Sequence, residues 1–177
     1  MNNIFATDKI AEMMEKAMYK VFHTMLSKDI QMSAHYQFPN EDHIHPPSPV
    51  IDTENIIVTG SAGFTGRANG VVYISMDEPT AEVLSGALLG LSHEEIKEEG
   101  TETVNDALGE LTNMCVGDFK NQICDKGFDC TLTLPSILRG EHVKIESPAG
   151  DEIRRYMHQF LTDQLPVIVD VILKPTE

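Results

Sequence analysis

The chain has no tryptophan, and aromatic residues make up only 6% of it, so a core has to be filled by aliphatic and methionine side chains rather than by stacked rings. Cysteine is scarce. Cys115, Cys124 and Cys130 are odd in number and none is spaced C-x-x-C, which removes zinc and dithiol motifs and leaves three reduced thiols, Cys115 among them as a small core residue. Basic charge is short as well: 13 Lys and Arg stand against 28 Asp and Glu. The formal net charge of −15 repels phosphate backbones and anionic lipid, so neither nucleic acid nor a membrane is an expected partner. No apolar run approaches the about 18 residues that a bilayer span requires, and MNNIFATDKIAE lacks a basic segment followed by an apolar one, so a cytoplasmic location is expected. What is present, 177 residues that are 41% apolar, suits a single domain, 1–177, with a sizeable core.

The stretch that organises the chain is Thr101 to Ile123, TETVNDALGELTNMCVGDFKNQI. At about 100° per residue, Val104, Ala107, Leu108, Leu111, Cys115 and Phe119 share one side of a helix, the spacing of a buried stripe. Asp106, Glu110, Asn113 and Gly117 gather within roughly 60° on the opposite side, because residues three and four apart are neighbours on a helix surface. Gly109 and Gly117 each cost about 1 kcal/mol relative to Ala in a helix, and a bare Gly117 one turn beyond Asn113 would let another backbone approach closely. Carboxylate and carboxamide one turn apart supply an acceptor for a cation and a group that can orient a water. Spacing alone does not separate this from the polar outer face of any surface helix.

Residues 7 to 27 form a second amphipathic helix, with Ile10, Met13, Met14, Met18, Val21, Phe22 and Met25 on its apolar side and Thr7 as N-cap. Its Asp8-x-x-x-Glu12-x-x-Glu15 repeats the spacing of the central helix but has Glu15 where the amide stands. Met32 to Phe38 reads as a short strand, followed by a loop whose Glu41, Asp42, His43 and His45 are either a solvated turn, the commoner case, or the beginnings of a metal site. Ile56 to Thr59 and Gly70 to Met76 are strands joined through GSAGFTGRANG, whose glycines do not match phosphate-loop order and suit a twisted hairpin with glycine kinks. Asp77-Glu78-Pro79 opens a helix that stops at Gly90, and Ser92-x-x-Glu95 is a capping box opening a short, charged and outward-lying helix that ends near Gly100. Phe128, Cys130, Leu132 and Leu134 alternate on one face of an extended segment before Pro135, and Val143 to Glu146 and Pro166 to Leu173 read as strands. In 153–161, Ile153, Tyr156, Met157, Phe160 and Leu161 fit a helix by local pattern. Two long helices with apolar stripes must bury them against something, which points to an α/β fold: a largely antiparallel sheet with 7–27 and 101–123 side by side on one face.

Asp106-x-x-x-Glu110-x-x-Asn113, read with ALGELTNMCVGDF around it, resembles the signature of the CheC/CheX/FliY chemotaxis phosphatases in its CheX form. IIVTGSAGFTGRANG (56–70), LSGALLG (84–90), LPSILRG (134–140) and HVKIES (142–147) are similar to CheX segments in the same order, so the resemblance covers roughly residues 5 to 174. It implies that 153–161 is a strand in a hairpin with 166–173, against the local pattern, and that the chain pairs as a homodimer. It also implies a reaction: hydrolysis of the aspartyl phosphate of a CheY-like receiver domain by in-line attack of water. In that scheme Asn113 orients the water, Glu110 pairs with the receiver's lysine, Asp106 and Gly117 support the interface, and Mg²⁺ is supplied by the receiver. The first helix, lacking the amide, supplies no second site. The competing expectations are a docking module for a receiver or flagellar switch component that hydrolyses nothing, and a small-molecule sensor, for which no convergent polar pocket is visible in the sequence.

Overall fold

The computed structural model describes residues 4–38, 51, 54–141, 143–146 and 152–175. In chain order these form α1 (Thr7–Val21), β1 (Gln31–Phe38), β2 (Ile57–Gly66), β3 (Ala68–Asp77), α2 (Glu78–Leu89), α3 (His93–Cys124), β4 (Cys130–Leu132), β5 (Ser136–Gly140), β6 (Arg154–Thr162) and β7 (Leu165–Pro175). The strands make one antiparallel sheet in the order β1-β6-β7-β3-β2-β4, with β5 also paired to β2.

Alternation along the strands selects the helix-bearing face. Val58, Ala62 and Phe64 of β2, Val72, Ile74 and Met76 of β3, Tyr156 and Phe160 of β6, and Val167, Val169, Val171 and Leu173 of β7 join the apolar sides of α1, α2 and α3 in one core. The two long helices lie together on that face, with α2 beside them. Lys20 of α1 is paired with Asp118 of α3, and Gln122 Nε2 donates to the Met13 carbonyl at 2.9 Å. A smaller cluster of Ile51, Ile57, Met157 and Ile168 occupies the other face, where Arg155 Nε meets Asp170 Oδ1 at 2.6 Å. Burial pushes the Asp170 carboxyl up, and the Arg155 guanidinium opposes the shift.

The caps behave as the sequence implies at α2 and α3. Asp77 accepts from the Thr80 amide at 3.0 Å, Gly90 ends α2 at φ 71°, and Ser92 and Glu95 cap α3 reciprocally. Gly100, at φ 84° and ψ 179°, breaks the helical backbone between His93–Glu99 and the central stretch, which then runs unbroken to Cys124. The charged turn before the kink lies outside except for Ile96, which is fully buried.

Several expectations fail for identifiable reasons. Thr7 is not the cap of α1: Ala6 occupies that position, and the Thr7 hydroxyl is bonded instead to the Gln37 side chain of β1. Met25 is 47% exposed, because Phe22–Leu26 continues α1 as one wider π-helical turn, which rotates the stripe past it before Ser27 ends the helix at φ 53°. Leu134 is 91% exposed, since the last main-chain bond of this segment to β2 is from the Thr133 amide to the Gly63 carbonyl at 2.7 Å. Residues 143 to 146 are not a strand. The place beside β2 is taken by β5, and Val143 packs against the small second cluster. For 153–161 the helical pattern loses: β6 is a strand paired with β7 across a two-residue turn in which Asp163 and Gln164 both have positive φ. His43 and His45, with Glu41 and Asp42, lie outside the described residues.

Candidate active site

The two sides of the central helix separate as their spacing implies. Val104, Ala107, Leu108, Leu111, Cys115 and Phe119 are buried, Asp106 and Glu110 are exposed, and Asn113 and Gly117 are half-buried. Thr112 and Val116 are buried too, which widens the inner arc to roughly half the helix and carries it up to the flank of Asn113.

The burial of Thr112 has a specific seat. A Cβ built on Gly60 of β2 would lie 2.1 Å from Thr112 Oγ1, so the absence of a side chain at Gly60 is what admits α3 so close to the sheet. Ile137 of β5 closes the same spot, 3.4 Å from that Cβ position. Sequence reasoning took the glycines of this hairpin as kinks and did not single out Thr112. Its place on the wheel beside the apolar stripe was the available signal, obscured by its hydroxyl. Gly117 differs. A Cβ there would meet Leu132 of β4 at 3.8 Å, an ordinary contact, so packing within the chain does not require glycine at this position.

Among the described residues no side-chain hydrogen bond or ion pair engages Asp106, Glu110 or Asn113. On α1 the residue with the matching position, Glu12, is held by Lys9 at 2.9 Å and Lys16 at 2.7 Å, and its carboxyl is lowered to about 2 chiefly by the hydrogen bond from Lys16. The two carboxylates with the same local spacing are thus in opposite states: Glu12 is committed, and Glu110 is available.

A cleft of about 340 Å³ is lined by Asp8, Glu12, Glu15, Met32 and His35, between α1 and β1, and includes no residue of the α3 motif. Asp106 and Glu110 are exposed and Asn113 half-buried on one side of α3, the geometry of a helical face that a partner can receive. Among the described residues no group of three or more His, Cys, Asp or Glu is arranged to hold a metal ion, and no helix is long and apolar enough to cross a membrane.

Comparison with known proteins agrees with this architecture. No curated protein sequence matches the chain. Among solved structures it is similar to a chemotaxis protein CheX from Desulfovibrio desulfuricans, with TM-score 0.72 at 22% identity, covering 94% of this chain and 99% of that one. It is similar to the CheX–CheY–BeF3–Mg complex from Borrelia burgdorferi, with TM-score 0.64 at 23% identity over 95% of this chain and 98% of that one. The FliM middle domain from H. pylori shares the fold at 12% identity, with TM-score 0.56 over 94% and 87% of the two chains. At such identities these neighbours speak for the fold. The family model described as chemotaxis phosphatase CheX matches residues 58–157, from β2 through the whole of α3 into β6 and more than half of the chain, and the chain therefore belongs to the CheX family of chemotaxis phosphatases.

Proposed function

We propose that the chain is a phosphatase that hydrolyses the aspartyl phosphate of a CheY-like receiver domain, with α3 as the inserted catalytic element. The observation that carries this reading is the unengaged Glu110 and Asn113, one turn apart on the outer face of a helix whose inner face is fixed in the core. In-line hydrolysis needs an oriented water and neutralised equatorial oxygens. The receiver supplies Mg²⁺ and a lysine; Asn113 holds the water through its carboxamide, and Glu110 pairs with the lysine to fix the register of the two proteins. Positioning of this kind lowers a barrier by several kcal/mol by removing the entropy of finding the geometry. Asp106 borders the contact and Gly117 admits the receiver's backbone. The α1 face, with Glu15 in place of the amide and Glu12 tied to two lysines, supplies no second site.

One site per chain fits a two-site homodimer, joined through an edge of the sheet. Among the described strands β1 stands at one end of the order, and a sheet end is where a second chain can add. Light scattering at tens of micromolar checks this: a particle of twice the chain mass is expected, and a monomer refutes the pairing.

The fold alone does not decide between hydrolysis and docking, since the FliM middle domain has it too. The deciding measurement is phosphate release from a panel of phosphorylated receivers with Mg²⁺, beside binding to a beryllofluoride-activated receiver. Asn113→Ala should abolish accelerated release and leave binding nearly unchanged, because an interaction made chiefly in the transition state affects turnover more than affinity. Full activity in Asn113→Ala removes the mechanism, and binding without release by the native chain establishes the docking module instead.

A further inference from the structure

Cys124 closes α3 and Cys130 opens β4, and the turn between them, residues 125 to 129, folds the two thiols onto each other. Their Sγ atoms are 3.6 Å apart. The backbone amide of Cys130 donates to Cys124 Sγ at 3.4 Å, and the Cys124 thiol donates to the Cys130 carbonyl at 3.6 Å. Both residues are partly exposed, whereas Cys115 is sealed in the core. Cys124 lies on the same side of α3 as Gly117, two turns beyond it, while Cys130 belongs to β4, and the sequence spacing of six gave no sign of the pair.

From this geometry we infer that Cys124 and Cys130 are a dithiol site that a small-molecule disulfide converts to an intramolecular disulfide, stapling the end of α3 to β4. In the conversion, Cys124 Sγ as thiolate attacks one sulfur of the small disulfide and expels the first small thiol. Cys130 Sγ then gives up its proton, attacks the Cys124 sulfur of the mixed disulfide and expels the second small thiol. Two protein thiols are oxidised and one small disulfide is reduced to two thiols, so protons and electrons balance. The sulfurs must close by about 1.6 Å to reach a bond of about 2.0 Å. Burial and the neighbouring Cys124 raise the Cys130 thiol to about 11, so little of it is thiolate near neutral pH and the second step is the slower one, driven by the mixed disulfide standing beside it. Cys115, raised still further by burial, stays out of the exchange.

The test equilibrates the full chain with graded ratios of reduced to oxidised glutathione, then alkylates the remaining thiols and measures intact mass and linked peptides. The expected product has lost two hydrogens, carries one alkylated thiol at Cys115 and yields a linked Cys124–Cys130 peptide, with far-UV circular dichroism unchanged. Cys124→Ser and Cys130→Ser should each stop at the free thiol or a mixed disulfide with glutathione, and Cys115→Ala should convert as the native chain does. Three alkylated thiols at every ratio, a persistent mixed disulfide in the native chain, or a link through Cys115 overturns the inference. Phosphatase activity does not enter the readout, so the result is independent of the function proposed above.

Discussion

Two residues on α3 separate what the chain needs for itself from what it offers a partner. Replacing Glu110 with Ala removes an exposed carboxylate that no group among the described residues engages, so stability should move by no more than about 0.5 kcal/mol. Receiver binding and turnover should fall together, by a few kcal/mol at most. Loss of folding in this variant would mean that the helix faces are reversed. Gly117 makes the sharper case. Its Cβ position is open apart from one ordinary contact with Leu132, so Gly117→Ala should stabilise the chain by up to about 1 kcal/mol through helix propensity. If the receiver's backbone passes there, the same methyl weakens the complex. Thermal melting and binding to a beryllofluoride-activated receiver, measured on one variant, should move in opposite directions, and unchanged affinity would strike Gly117 from the interface.

At the scale of elements, the position of the site depends on how closely α3 approaches β2, and that distance is set by Gly60. Gly60→Val puts a branched side chain where Thr112 Oγ1 already stands, 2.1 Å from the Cβ position, and should cost about 1–3 kcal/mol through overpacking while displacing the turn that carries Asn113. Chemical denaturation and phosphate release should both report it, and a variant as stable as the native chain would refute the close packing. The helices were legible because each carries a long 3.6-residue stripe with written ends, such as Ser92-x-x-Glu95 and Gly90. The β6–β7 hairpin was not legible locally. Its turn is Asp163-Gln164, without the glycine that usually announces two left-handed residues, and a strand whose Tyr156, Met157 and Phe160 are all buried loses its alternation. The family resemblance supplied that hairpin where the local pattern did not. Strand β5 was missed for the opposite reason: five residues after a proline, with Ile137 turned in and Leu138 58% exposed, give too short a pattern to read. The motif face of α3 was visible from spacing, but the unengaged state of Glu110 and the committed state of Glu12 needed side-chain geometry.

The molecule as a whole should respond to acid through a residue that the reaction does not use. His158 lies fully buried on the helix-bearing side of β6, its Nδ1 3.4 Å from the Val169 carbonyl and its Nε2 without a partner among the described residues. Burial, more than any neighbouring charge, lowers its pKa from 6.5 to about 4, so the folded chain keeps this ring neutral where the unfolded chain protonates it. The sign follows from proton counting. Below pH 6.5 the unfolded state binds a proton that the folded state refuses, and unfolding becomes easier as pH falls toward 4. The full contribution, about 3 kcal/mol by the linkage relation, is present above pH 6.5 and is spent once pH has dropped through 4. Asp170 works in the other direction, because its raised carboxyl takes up a proton earlier in the folded state than in the unfolded one. Total stability therefore mixes the two, and the difference between the native chain and His158→Phe isolates the histidine. The stability of the native chain minus that of the variant, from denaturation taken every half unit from pH 7.5 to 4, should fall as acid is added, because the native chain loses stability that the variant does not. Parallel curves would mean that the ring is protonated in the fold, paired with a group that the buried Nε2 does not reach in this structure.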